Sequence, residues 1–105
     1  MTTDFALEYI RRMMQELGVN NNYLLKFRHF VIQPNDTIII DGYNEYFLLV
    51  HADNYLKVCS EFGVYDLFDN GINEQQYEHQ GVITITNDSE IPKHIKFIQV
   101  IPKHL

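Results

Sequence analysis

Apolar residues recur at intervals of three and four along the first part of the chain, the spacing of one face of an α-helix. Thr3 has a side chain that can cap the start of a helix, and Gly18 can adopt the left-handed conformation that ends one. The pattern predicts one amphipathic helix over residues 4–17. Its apolar face consists of Ala6, Ile10, Met13, Met14 and Leu17.

After the helix the apolar period falls to two, which indicates β-strands. Residues 25–31 alternate between apolar and polar, whereas residues 37–40 and 82–86 are rich in β-branched side chains. Turn-forming residues divide the region 23–101 into about seven or eight short strands, a spacing typical of a β-sandwich or barrel. We therefore predict a single α+β domain, mainly antiparallel β, over residues 1–105.

Three local features of the predicted sheet follow from turn chemistry. We expect a hairpin whose loop is residues 42–45, because this loop places apolar residues opposite one another. Residues 55–68 are predicted as one long strand that bends at Gly63, since glycine often marks a bulge. A polar strand over residues 75–79 is expected at an edge of the sheet.

Two parts of the predicted sheet are apolar on both faces: residues 38–40 together with residues 46–50, and residues 95–101. A strand of this kind must be covered on both sides, and one short helix covers only part of one side. Leaving an Ile or Phe side chain in water forgoes about 1.5–3 kcal/mol. We therefore expect a second sheet or a second copy of the chain. The interface residues that this argument predicts are Phe47, Leu49, Phe97 and Ile98.

The formal net charge of −6 is unevenly distributed. Between Asn35 and Glu90 there are eleven acidic residues and one basic residue, Lys57, whereas residues 91–105 contain Lys93, Lys96 and Lys103 and no acid. An acidic surface repels phosphate backbones, so we expect no binding to nucleic acid. The acidic and basic parts are complementary between copies, which favours a homo-oligomer, or another protein, as partner.

The remaining composition predicts a cytoplasmic protein. The single cysteine, Cys59, cannot form an internal disulfide and is expected to be a buried structural thiol. The longest uninterrupted apolar stretch is residues 46–50, far shorter than the roughly 20 residues of a membrane-spanning helix. We therefore expect no association with a membrane.

Five histidines raise the hypothesis of a metal site. Structural and catalytic metal sites bring three or four ligands together, often with two of them close in sequence. No two histidines here are closer than ten residues, so such a site would form only across strands. The set that we name for a metal-dependent enzyme is His51, His79 and Glu78. His29 falls on the apolar alternation and is predicted as a hydrogen-bonded core residue, and no cofactor is predicted.

Tyrosines beside the central strands suggest a ligand pocket, lined by Tyr46, Tyr55 and Tyr65. No nucleophile motif or phosphate-binding glycine motif is present, so no catalytic residue is predicted. These observations favour a small, non-catalytic interaction or assembly domain that self-associates. The alternatives are a binding protein with an aromatic-lined pocket and, less favoured, a metal-dependent enzyme.

Overall fold

A computed structural model describes residues 2–61, 63–66 and 78–103, with the backbone alone for residues 63–66. These residues form one helix and an antiparallel sheet, which confirms the α+β, mainly antiparallel prediction. The strands lie in the order β1-β6-β2-β5-β3-β4. The elements are α1 (Thr3–Glu16), β1 (Tyr23–Ile32), β2 (Thr37–Ala52), β3 (Leu56–Ser60), β4 (Gly63–Asp66), β5 (Glu78–Asn87) and β6 (Lys93–Pro102). No helix in the described ranges is long and apolar enough to span a membrane.

Helix α1 confirms the amphipathic pattern. The N-cap is Thr2 rather than Thr3, because Thr2 has the extended backbone of a capping residue and its Oγ1 accepts a hydrogen bond from the Phe5 amide at 3.3 Å. At the other end Gly18 has a φ of 75°, and the amide of Val19 donates to the carbonyl of Met14.

The apolar stripe of α1 packs on one side of the sheet, which we call the helix face. The buried side chains of this layer are Ala6, Ile10, Met14, Leu48, Ile98 and Val100, with Tyr23, Leu25, Tyr46 and Val50 partly buried around them. They come from α1 and from the ends of β1, β2 and β6 that lie beneath it. The helix thus covers one face of the strands that the sequence shows to be apolar on both.

The opposite side of the sheet, the inner face, holds a second buried cluster. It consists of Ile32, Ile40, Phe47, Leu49, Leu56, Val58, Ile83, Ile85, Ile95 and Phe97. Ile32 lies on β1, whereas Leu56 and Val58 lie on β3, at the other side of the sheet order. Because residues so far apart in the sheet share one cluster, the sheet must curl around it.

The curl depends on a bend in β2, which is one strand of 16 residues rather than the hairpin that we predicted. Its first part pairs with β5 as far as Gly42, opposite Gly81, and pairing resumes at Tyr46 after a register shift. From Tyr46 onward β2 also pairs with β6. The hairpin prediction was wrong because β5, distant in sequence, supplies the pairing partner for Ile38–Ile40. A strand that joins two halves of a sheet through a bulge turns a corner.

Asn87, at the end of β5, stabilises the curled sheet through hydrogen bonds. Its buried Nδ2 donates to the carbonyls of Ile32, at 2.9 Å, and Ile91, at 2.8 Å, while its backbone amide donates to the carbonyl of Asp36. Since Ile32 ends β1, the bond to its carbonyl joins β5 to β1, which are not neighbours in the sheet order. Buried amide groups that are fully hydrogen-bonded in this way specify a single arrangement.

Other strand predictions change in detail. Residues 55–68 do not form one bent strand, because β3 and β4 pair with each other from Ser60 opposite Gly63. Glu78 and His79 belong to β5, which is central rather than at an edge, and residues 75–77 lie outside the described residues. The predicted count of seven or eight strands and the sandwich or barrel are not confirmed.

Two substitutions in α1 test whether its buried stripe holds the helix on the sheet. Ile10 is fully buried, and Ile10→Ala is expected to lower the free energy of unfolding by about 2–5 kcal/mol. Phe5 is 63% exposed on the same helix, and Phe5→Ala is expected to change the free energy of unfolding by less than about 0.5 kcal/mol. Urea unfolding followed by circular dichroism measures both; equal losses would contradict this packing.

A substitution at Gly42 tests the bend of β2. A Cβ atom there would lie 2.5 Å from the ring of Phe47 and 2.9 Å from the carbonyl oxygen of Gly81. Gly42→Ala is therefore expected to cost about 1–3 kcal/mol of stability through overpacking. Gly18→Ala is the comparison, because no atom lies within 4 Å of its Cβ position and only the positive φ opposes the change. A neutral Gly42→Ala variant, measured by urea unfolding, would argue against the bend.

Candidate functional site

The outer strand of the sheet carries apolar side chains that the fold leaves exposed. β1 ends the sheet order, and its Phe27 and Val31 are 67% and 45% exposed. Both are an even number of residues from Leu25 and therefore share its face of the strand, the helix face, beyond the part that α1 covers. We call Leu24 and Lys26, on the inner-face side of β1, together with Phe27 and Val31, on its helix-face side, the β1 surface, because all four flank the same open edge of the sheet. Exposed apolar side chains on an edge strand are typical of a protein-interaction site.

The same end of the sheet is basic. Neighbouring strands β1 and β6 contain Lys26, Arg28, Lys93 and Lys96 and no acidic residue. Arg28 and Lys93 are turned to internal partners: Arg28 Nη1 donates to Gln99 Oε1 at 2.8 Å, and Lys93 Nζ donates to Asn54 Oδ1 at 2.8 Å. Lys26 and Lys96 are exposed and available to an acidic partner.

An acidic cleft of about 140 Å³ lies at the bend of β2. Its carboxylates are Glu45 and Glu61, and exposed Tyr43 stands at its margin. Gln99 Nε2 donates to Glu45, so one short hydrogen-bonded chain links this cleft to Arg28. The volume is below the 300–1,000 Å³ usual for small-molecule pockets. The full lining is Tyr43, Asn44, Glu45, Tyr46, Glu61, Gln80 and Gly81.

The two predicted ligand-binding tyrosines whose side chains are described, Tyr46 and Tyr55, lie at different places in the fold. Tyr46 lines the acidic cleft, and its ring packs partly under the helix. Tyr55 lies in the turn before β3, where Lys93 Nζ is 5.6 Å from the centre of its ring. The side chain of Tyr65 lies outside the described residues.

The predicted metal set is distributed over both faces of the sheet. His79 is buried on the inner face, where its Nδ1 is 2.8 Å from Ser60 Oγ. Glu78, the preceding residue, points to the helix face and accepts a hydrogen bond from Tyr9 Oη at 3.0 Å. His51 is exposed at the end of β2, with its Nε2 3.3 Å from Asp53 Oδ1. Within residues 2–61, 63–66 and 78–103, no three His, Cys, Asp or Glu side chains are arranged to hold a metal ion.

The four predicted interface residues are core residues of the chain itself. Phe47 and Phe97 are fully buried in the inner cluster, and Leu49 is 3% exposed beside them. Ile98 is fully buried under α1. Their burial within one chain requires no partner, so an interface must use other residues.

Two histidines that we did not group meet on the helix face. His29 Nε2 lies 2.9 Å from His94 Nδ1, and the ring centres are 5.1 Å apart. His29 is exposed, which corrects the prediction that it is a core residue. The β1–β6 register sets His29 opposite Lys96 and Val31 opposite His94, so the two rings are diagonal neighbours. The alternation in residues 25–31 placed His29 on a face, but the sequence alone does not give the partner strand.

Asp53 anchors the end of this histidine region. His94 donates its backbone amide to Asp53 Oδ2 at 2.7 Å. Burial raises the pKa of Asp53, but the hydrogen bonds from the His94 amide and from His51 outweigh it and hold the pKa below its usual value. The carboxylate thus favours the folded state when it is ionised.

Comparison with protein-family models, with curated protein sequences and with solved structures gave no significant match.

The lowered pKa of Asp53 predicts an acid-side dependence of stability. Because the folded pKa is depressed, the stabilisation is present above the unfolded value of about 3.9 and is lost as pH falls through the folded value. Asp53→Asn is expected to reduce stability by about 1 kcal/mol near neutral pH, after solvent screening. The difference from the wild type should shrink below about pH 4.

Urea unfolding at several pH values measures this difference. Asp88→Asn is a matched control, because Asp88 is exposed, and should change stability by less than about 0.5 kcal/mol. A wild-type–Asp53→Asn difference that does not change with pH would show that the charge of Asp53 contributes nothing.

Proposed function

We propose that this chain is a non-catalytic protein-interaction domain that self-associates. The β1 surface of one copy binds the acidic cleft of a second copy. The observation that carries the proposal is the segregation of charge along the sheet: β1 and β6 have bases and no acids, whereas Glu45 and Glu61 line the cleft. Complementary charges steer association and set the orientation of two copies.

The β1 surface joins charge to apolar area at one place. Phe27, which is 67% exposed, and the adjacent exposed Lys26 lie on opposite sides of the edge strand, so an acidic partner that covers this edge would bury the ring on one side and pair with the ammonium group on the other. Tyr43, exposed beside the acidic cleft, provides an aromatic counterpart on the other copy. Aromatic side chains are enriched in the residues that dominate interface energetics.

A pairing of two β1 edges with each other is less favourable. An antiparallel β1–β1 pair centred on Phe27 sets Lys26 directly opposite Arg28 in both copies. Like charges directly opposite one another are destabilising. The contact between β1 and the acidic cleft is instead head-to-tail, and repetition of such a contact gives rings or open chains of which the dimer is the smallest.

The proposed contact is weak and reversible. Stable interfaces bury about 1,200–2,000 Å² in total, and few large apolar side chains are exposed at the β1 surface. We propose that the domain acts in the cytoplasm, since its one cysteine gives no internal disulfide. We also propose that the curled sheet is a partly closed barrel whose interior is filled by the inner cluster rather than by a ligand.

Substitutions at the β1 surface test the proposal. Phe27→Ser and Lys26→Glu are each expected to weaken self-association about tenfold or more, because they remove the apolar and the electrostatic part of the contact. Raising the salt concentration should weaken the wild-type association in the same direction. Sedimentation equilibrium and size exclusion with light scattering measure the molar mass as a function of concentration.

Two further variants make the test specific. Ile39→Ser removes a similarly exposed apolar side chain, at 71%, from the part of β2 that pairs with β5, and should leave association unchanged. Glu61→Lys should weaken association by itself and partly restore it in a mixture with Lys26→Glu chains. A wild-type chain that stays monomeric at about 1 mM, where a contact of only about 4 kcal/mol would already be half-populated, would overturn the proposal.

A further inference from the structure

The His29–His94 pair has the geometry of two ligands of one metal ion. The nitrogens His29 Nε2 and His94 Nδ1 are 2.9 Å apart. If both bound an ion at the usual metal–nitrogen distance of about 2.0–2.1 Å, they would subtend an angle of about 90° at the metal. That is the angle between adjacent ligands in octahedral and square-planar coordination. A tetrahedral ion would need the two nitrogens about 3.4 Å apart.

The backbone holds the two histidines in place. They lie on β1 and β6, which pair continuously from Tyr23 opposite Pro102 to Ile32 opposite Lys93. A hydrogen-bonded ladder of this length fixes the separation of the two Cα atoms before any ion binds. Such pre-organisation reduces the entropic cost of binding. The two nitrogens are hydrogen-bonded to each other, so one of them carries a proton, and that ring must move its proton to its other nitrogen before both can coordinate one ion.

The charges around the pair come from β6 and from the turn after β2. Lys96 pairs with His29 across the two strands and lies on the same face, so its positive charge repels a bound cation. Asp53, whose Oδ2 accepts the His94 amide, supplies a negative charge close to His94, and His51 lies next to it. Both histidines are exposed, so water can fill the other coordination positions.

We propose that His29 and His94 form a two-histidine site for Ni²⁺ or Cu²⁺, with water as the remaining ligands. Imidazole nitrogen suits these ions, whereas Mg²⁺ and Ca²⁺ prefer oxygen ligands. The site differs from the set His51, His79 and Glu78, which the sheet places on opposite faces. It does not rest on self-association, because both ligands come from one chain.

Isothermal titration calorimetry of the tag-free 105-residue chain with NiCl₂ tests the site in dilute, monomeric solution. The wild type should bind one Ni²⁺ per chain, and MgCl₂ should give no heat of binding. His29→Gln and His94→Gln should each weaken Ni²⁺ binding at least about tenfold, because each removes one of two protein ligands. Circular dichroism of the metal-free variants confirms that they fold, since both side chains are exposed.

His51→Gln is the matched control, because His51 is an exposed histidine of the same face that lies outside the pair. It should leave Ni²⁺ affinity within about twofold, and Lys96→Gln should increase the affinity by removing a nearby positive charge. No saturable binding, or a loss in His51→Gln as large as that in His94→Gln, would overturn the proposal.

Discussion

The fold depends on covering both faces of β2 and β6 with side chains of the same chain. Phe47 and Phe97 point to the inner face, whereas Leu48 and Ile98 point to the helix face, and all four are fully buried. If either face were exposed to water, the fold would lose about 1.5–3 kcal/mol of stabilisation for each such side chain. Helix α1 covers one face, and the curl of the sheet covers the other. The domain thus needs two different covers for one layer of strands.

The curl of the sheet, which covers the inner face, is the feature that the sequence did not predict. We reasoned that a helix alone is too small and that a second sheet or a second copy must supply the rest. The bend of β2 at residues 43–45 provides a third solution, because the strand pairs with β5 along its first part and then, after the bend, begins to pair with β6 as well. Phe47 and Leu49, assigned to an interface for this reason, are buried instead by the other half of their own sheet.

How much the sequence predicts depends on the range of the interactions. The helix is determined by local spacing and caps, and its observed bounds differ from the predicted ones by one residue. The alternation of β1 also lies within one segment and identifies the face that carries Phe27 and His29. Strand pairing joins distant segments, so the sequence does not reveal that β5 pairs with Ile38–Ile40 or that His94 meets His29. The proposed interface and the proposed metal site both depend on such pairing.

Because the core is closed within one chain, the surfaces that can bind a partner are those whose side chains remain exposed. The exposed residues at one end of the sheet are basic and apolar, and the cleft at the bend of β2 is acidic. The self-association that we propose uses these surfaces and does not complete the core. This distinction separates an assembly of folded domains from an obligate oligomer, in which folding and association are inseparable.

The concentration dependence of unfolding tests this distinction most directly. The urea midpoint of the wild-type chain would be measured over about a tenfold range of concentration within the dilute region where sedimentation shows a monomer. A core closed within one chain predicts a cooperative transition whose midpoint does not change. A midpoint that rises with concentration, or a dilute monomer without cooperative unfolding, would contradict the account.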